Sequence, residues 1–212
     1  MAKTMKKLLS LAIALIMVLS LIPAVSAEEA VEVVKVTQAS DLATPLNKGS
    51  EQNLVPNATY HYQLQNDITM DTATALYIGK YVEAANTTED NKSHAVHVVL
   101  DLNGFTLTDA YDSGAKNRMF ALYGGSSLSV KNGKIVSRTS IKALGGVFFG
   151  VGGSSFTFDN VTVETYSNST SGGAILQAND GVVTLNNCTF TRVEGTSSGN
   201  GGLISMTGGD LI

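Results

Sequence analysis

Four short apolar runs recur through the second half of the chain, and their near-constant interval restricts the fold more than any other feature. Met119-Phe120-Ala121-Leu122 aligns with Val147-Phe148-Phe149-Gly150, then with Ala174-Ile175-Leu176-Gln177 and Leu203-Ile204-Ser205-Met206, at steps of 28, 27 and 29 residues. A second run follows each of the first three: Ser127-Leu128-Ser129-Val130, Ser155-Phe156-Thr157-Phe158 and Val182-Val183-Thr184-Leu185. Each then meets an asparagine (Asn132, Asn160 or Asn187) and a third run, Lys134-Ile135-Val136, Thr162-Val163-Glu164 or Thr189-Phe190-Thr191. A period in this range denotes stacked units, each burying an apolar side against the next. The runs are too short for helices and alternate with period two, so they read as strands. Three short strands per unit describe one coil of a right-handed parallel β-helix. The expected fold class is therefore all-β, a solenoid with a short helical cap at its N-terminal end.

In such a coil alternate side chains point inward. The inward set is Leu128, Val130 and Ile135; Phe156, Phe158, Val161 and Val163; Val183, Leu185, Cys188 and Phe190. Phe158 is expected over Leu185, and Val163 over Phe190, at the ~4.8 Å spacing of paired strands. Asn132, Asn160 and Asn187 read as a structural ladder that satisfies backbone groups in a tight bend, where asparagine tolerates left-handed geometry. The preceding coil matches less regularly. Its apolar positions align at an offset of 30 (Leu100 to Val130, Phe105 to Ile135) but its asparagine, Asn103, at 29, which predicts a one-residue slip. The same register places Ile212 where Leu128 falls. The sequence is thus expected to stop partway through a coil, as a fragment truncated at the C-terminal end of the β-helix.

The front of the chain divides differently. Lys3, Lys6 and Lys7 precede an apolar stretch from Leu8 to Ile22, and Pro23-Ala24-Val25-Ser26-Ala27 supplies small residues. This is the pattern of a secretory signal peptide over residues 1–27. Its apolar stretch, about 15 residues, falls short of the ~20 a spanning helix needs. Residues 28–57 read as a lead-in and cap, with Ser40 as the N-cap of a one- or two-turn helix carrying Leu42 and Leu46. The β-helix domain is expected over 58–212, with Tyr60, Tyr62 and Leu64 on one face of its entry coil. Residues 71–94 break the period. The stretches 83–94 and 109–118 read as loops, where scaffolds of this kind carry binding residues. Glu89, Asp90, Asp109, Asp112 and Arg118 are the ligand-loop candidates.

Charge narrows the partners. Three of the 14 basic residues lie in the leader, which leaves 11 against 18 acidic ones. Nucleic acid is disfavoured, because phosphates demand a basic patch. After signal removal no second apolar run approaches a membrane span. The single cysteine, Cys188, cannot close an internal disulfide, so burial and backbone pairing must hold the fold.

Leu100-Asp101-Leu102-Asn103-Gly104-Phe105-Thr106-Leu107 resembles the opening-coil phrase of the pectin-lyase-like family of right-handed β-helices. Phe158-Asp159-Asn160-Val161-Thr162-Val163 and Leu185-Asn186-Asn187-Cys188-Thr189-Phe190 resemble its interior coils. The leader is similar to those of secreted and surface-attached bacterial proteins. The resemblance implies an extracellular location and, for enzymes of the family, action on acidic polysaccharides. Lyases of that family use clustered carboxylates with Ca²⁺ and a basic residue, and hydrolases use clustered aspartates.

The residues that would carry such chemistry are dispersed. A glycosidase needs one acid to protonate the leaving oxygen and a second carboxylate to activate water or attack. Asp101 and Asp159 each lack a second acid in the same short run, and Arg118, Arg138 and Arg192 belong to different turns. His94 and His97, three apart on a strand, point to opposite faces, which suits no metal site. No catalytic, cofactor or metal residue is therefore assigned. The expected function is a secreted or cell-surface module that binds an extracellular polysaccharide or a host or cell-wall glycan, or serves as an adhesive or structural stalk. The alternative is the N-terminal part of a polysaccharide lyase or glycoside hydrolase with its catalytic coils beyond residue 212. Calcium belongs only to the lyase form of that alternative.

Overall fold

The computed structural model describes residues 31–47, 54–80, 94–111, 118–138, 146–166, 173–193 and 202–212. Residues 1–27, read as a signal peptide, and residues 83–93 of the stretch 83–94 read as a loop lie outside them. The fold described is that of Glu32–Ile212, one compact unit.

Its strands are all parallel and stack as the repeat requires, in a parallel β-helix. The larger sheet runs β1 (Val33–Val36), β2 (Thr59–Leu64), β5 (His97–Asp101), β8 (Ser127–Ser137), β10 (Ser155–Thr165), β12 (Val182–Asn186) and β15 (Asp210–Leu211). Beside this path, β3 (Ile68–Met70) pairs with β6 (Thr106–Asp109), β6 with the second half of β8, and β10 with β13 (Thr189–Arg192). A second sheet of five strands stacks β4 (Leu76–Ile78), β7 (Phe120–Leu122), β9 (Phe148–Gly150), β11 (Leu176–Asn179) and β14 (Ile204–Thr207).

Parallel strands of this kind are stable only when stacked, because each coil leaves its backbone edges and its apolar side chains open to the next. Phe158 pairs with Leu185 and Val163 with Phe190, as expected. Leu128, Val130, Ile135, Phe156, Phe158, Val161, Val163 and Val183 are all buried in one core. Leu185, Cys188 and Phe190 are partly buried and pack against it. Phenylalanines fill the middle: Phe120 stacks on Phe148 at 5.2 Å, and Phe148 meets Phe158 edge-on at 4.9 Å. Each fully buried side chain of this size contributes roughly 1.5–3 kcal/mol.

The asparagines sit at the bends. Asn132, Asn160 and Asn187 have φ of 58°, 57° and 50°, and Asn103, at 52°, makes a fourth rung. Their side chains bond from coil to coil. Asn103 donates to the Leu64 carbonyl, but Asn132 donates to the Asp101 carboxylate and Asn187 to the Asn160 carboxamide.

Five details depart from the sequence reading. First, from β7 to β14 the second sheet pairs at a constant offset of 28: Phe120 with Phe148, Phe148 with Leu176, and Leu176 with Ile204. Aligning the runs on their flanking glycines had slipped the third run by one residue. Second, Leu211, not Ile212, shares the inward column of Val183, Phe156 and Leu128. Third, Leu107 rather than Phe105 pairs with Ile135, so the offset drops from 30 at Leu100 to 28 at Leu107. The two surplus residues are absorbed at the Asn103 bend. The bend presses on the next coil at Gly133, where an added Cβ would lie 2.6 Å from both the Leu102 Cβ and the Phe105 carbonyl oxygen.

Fourth, the broken stretch after Asp71 contains a strand, β4. Fifth, the N-cap of the cap helix α1 (Ser40–Ala43) is Ala39, which makes no side-chain cap bond, and Ser40 is the first helical residue. The Asp41 carboxylate instead accepts from the backbone N–H groups of Thr37 at 2.8 Å and Gln38 at 3.1 Å. The Thr37 bond is the largest influence holding that carboxyl below its ordinary pKa. Leu42 and Leu46 are buried, and the Leu46 carbonyl accepts from the Tyr77 N–H at 2.6 Å. The lead-in thereby covers the free edge of β4.

Candidate functional site

Side chains alternate along each strand of the second sheet, so its outer face is read directly from the register. Leu76, Phe120, Phe148 and Leu176 point into the core, as do Ile78, Leu122 and Ala178. The residues between them face out. Tyr77, Ala121, Phe149, Gln177 and Ser205 form one outward column across successive strands. Tyr123 and Asn179 flank it one alternation further on, and Asn179 pairs with Thr207.

The column changes character along its length. At one end the Tyr77 and Tyr123 rings stack at 6.1 Å, and Tyr123 meets the Phe149 ring edge-on at 6.5 Å. All three rings are half-buried. Ala121 lies between Tyr77 and Phe149 in register and is fully covered. The Arg118 guanidinium carbon sits 3.9 Å from the Phe149 ring centroid, a cation–π contact that holds a positive group against the aromatic surface. One strand further, the chemistry turns to amides. Gln177 is only 9 % exposed, and its Oε1 is buried without a hydrogen-bond donor among the described residues. The Asn179 Oδ1 is buried and unpartnered in the same sense. A buried acceptor left without a donor costs about 1–3 kcal/mol. Both oxygens are shielded from solvent, on the strand next to that of Phe149. Ser205 and Thr207 add hydroxyls on the next strand.

Of the sequence-predicted candidates, only Arg118 lies on this face. Asp109 ends β6 in the other sheet and is fully buried, not in a loop. Glu89, Asp90 and Asp112 lie outside the described residues. Asn132, Asn160 and Asn187 line a different edge, at the bends of the larger sheet. Gln177 was missed because the slipped alignment set it beside Leu122 and Gly150 rather than beside Ala121 and Phe149. Tyr77 was missed because its strand lies in the stretch read as aperiodic. A constant 28-residue step through Phe120, Phe148, Leu176 and Ile204 was the signal that would have found Gln177.

The larger sheet offers a second outward column, Lys35, Gln63, Asp101, Lys131, Asp159 and Asn186. Its members bind one another. Lys35 donates to Gln63, Gln63 to Asp101 at 3.4 Å, and Asn186 to Asp159 at 3.2 Å, while Lys131 lies 3.8 Å from Asp101. Burial pushes the Asp101 carboxyl up. Hydrogen bonds from Asn132, the Asn103 backbone and Gln63, together with the Lys131 charge, outweigh burial and hold it below its ordinary pKa. A general acid needs the opposite shift, so this column is better suited to tying coils together than to proton transfer. His97 Nδ1 lies 2.8 Å from the Ser127 Oγ on the same sheet. Among the described residues no three His, Cys, Asp or Glu side chains converge as a metal site, and no helix is long and apolar enough to cross a membrane.

Comparison of the chain with protein-family models, with curated proteins and with solved structures gave no match in any of the three.

Proposed function

We propose that this chain is a carbohydrate-binding β-helix module, secreted or displayed at the cell surface, and that its binding face is the outer face of the second sheet. The observation that carries the reading is the adjacency of three half-buried aromatic rings to the outward amides Gln177 and Asn179, whose oxygens are buried without donors among the described residues. Sugars present apolar C–H faces that lie on aromatic rings, and hydroxyls that donate to amide oxygens. A parallel sheet fixes both sets without loop motion. The leader of Lys3, Lys6 and Lys7 before an apolar stretch supports an extracellular location. The resemblance of Leu100–Leu107 to secreted β-helix proteins of the pectin-lyase-like family agrees with it. The module reading is preferred to a lyase or hydrolase because Asp101 and Asp159 are engaged within the chain.

A glycan array probed with the mature chain tests this. Binding to a defined set of glycans is expected, weakened about three- to tenfold by Tyr77→Ala or Phe149→Ala, the worth of one aromatic contact. Binding that survives both substitutions unchanged would move the site elsewhere. No binding to any glycan would leave a structural role. Release of unsaturated product from polygalacturonate with Ca²⁺ would favour the lyase alternative instead.

A further inference from the structure

β2 and β5 lie side by side in the larger sheet, and their register brings two histidines to one face. Thr59 pairs with His97, and His61 with Val99. Tyr62 and Leu64 on β2, and Val98 and Leu100 on β5, point into the core. The residues alternating with them face out, His61 and His97 among them. The two are diagonal neighbours, one strand over and two residues along. Strands ~4.8 Å apart, rising ~3.3 Å per residue, put their Cα atoms on the order of 8 Å apart. Two imidazoles span that separation to a shared ion.

Each ring has a nitrogen to give. His97 Nδ1 lies 2.8 Å from the Ser127 Oγ on β8, the strand on the far side of β5 from β2. Nδ1 and Cδ2 lie on opposite sides of an imidazole, so the bond to β8 turns the Cδ2–Nε2 edge toward β2, where His61 stands. The Ser127 hydroxyl can accept from Nδ1–H, which leaves the Nε2 lone pair for a metal. Ligating histidines are commonly held in this way, one nitrogen on the ion and the other on a neighbouring oxygen. His61 is flanked in its own column by Val33 and Val99 and makes no side-chain bond among the described residues. Both rings are half-buried, so less side-chain freedom remains to be lost when an ion binds.

We propose that His61 and His97 together bind one divalent transition-metal ion of the Zn²⁺, Ni²⁺ and Cu²⁺ class, with Ser127 orienting His97 and water completing the coordination. Imidazole suits these ions, whereas Ca²⁺ and Mg²⁺ take oxygen ligands. Two protein ligands leave positions open to exchange, unlike a closed four-ligand structural zinc site. The partner of His97 is thus His61 from the coil before, not His94 on its own stretch of chain. Because the ion ties β2 to β5, its binding also stabilises the folded chain.

Zinc titrated into the untagged mature chain tests the pair by NMR and calorimetry. The sequence has three histidines, so each imidazole reports separately. One ion per chain is expected, with the His61 and His97 signals shifting together and those of His94 unmoved. Ser127→Ala, which keeps both ligands, is expected to weaken zinc about tenfold, and His61→Gln or His97→Gln by at least as much. The thermal midpoint of the unaltered chain should rise with zinc, and the rise should vanish when both histidines are replaced. Circular dichroism establishes that the variants fold, and the NMR titration of the unaltered chain does not depend on them. A shift confined to one histidine, a shift centred on His94, or no saturable binding overturns the site. Unchanged affinity in Ser127→Ala overturns the orienting role given to that hydroxyl.

Discussion

Asp101 shows how a single residue in this solenoid ties three coils together. Its carboxylate receives Gln63 from the coil before and Asn132 from the coil after, with Lys131 alongside. Because these bonds favour the ionised form over burial, the folded pKa lies below the unfolded value of about 3.8. The stabilisation is then fully present above the unfolded value and lost as pH falls through the folded one. Asp101→Asn is expected to lower stability at pH 7 and to flatten the acid limb of a stability–pH profile below about pH 4, measured by urea unfolding. An unchanged acid limb would show that the Asp101 network does not contribute. None of this was legible in the sequence. Asp101, Gln63 and Asn132 are 38 and 31 residues apart, and only the register makes them neighbours.

At the scale of the element, the strands were largely legible and their exact pairing was not. The second and third runs of these coils were placed correctly, since Phe158 over Leu185 and Val163 over Phe190 are the observed pairs. The second sheet was misaligned because its third run, Ala174-Ile175-Leu176-Gln177, has no polar residue among its first three to mark the outward side. In a period-two element a shift of one residue turns every side chain to the opposite face, and that one shift hid Gln177. The observed register makes its own prediction. Phe120 and Phe148 stack face to face across β7 and β9 at 5.2 Å. Each truncation to alanine is expected to cost about 3–5 kcal/mol. A double-mutant cycle between them should show a coupling of about 0.5–1.5 kcal/mol. Additivity of the two losses would deny the contact.

For the whole molecule, a solenoid's stability is a sum over neighbouring coils, so it need not be uniform along the axis. β8 and β10 are flanked on both sides by paired strands and carry fully buried inward side chains. Toward β15 the core thins. Leu185, Phe190, Leu203, Ile204 and Met206 are only partly buried, and Leu211 is 56 % exposed. Native-state hydrogen exchange is therefore expected to be slowest in β8 and β10 and faster through β13, β14 and β15. Uniform protection from β2 to β15 would mean that the coils open only together. At the other end the helix α1 and Leu46 cover the sheet, and slow exchange of the Tyr77 amide, bonded to the Leu46 carbonyl, would report on that cover.

The repeat by itself determined the architecture. Short period-two runs at a near-constant spacing leave no other way to bury Phe156, Phe158 and Val163 than to stack them, and asparagine once per turn supplies the left-handed bend that stacking needs. What only the tertiary structure decided is which side chains share the outer face. That depends on register to the single residue and on how many residues each bend absorbs, such as the two taken up at Asn103 and pressed against Gly133. Local sequence carries the alternation of a strand but not its phase against a strand 28 residues away. The aromatic and amide column from Tyr77 to Ser205 exists only in that phase.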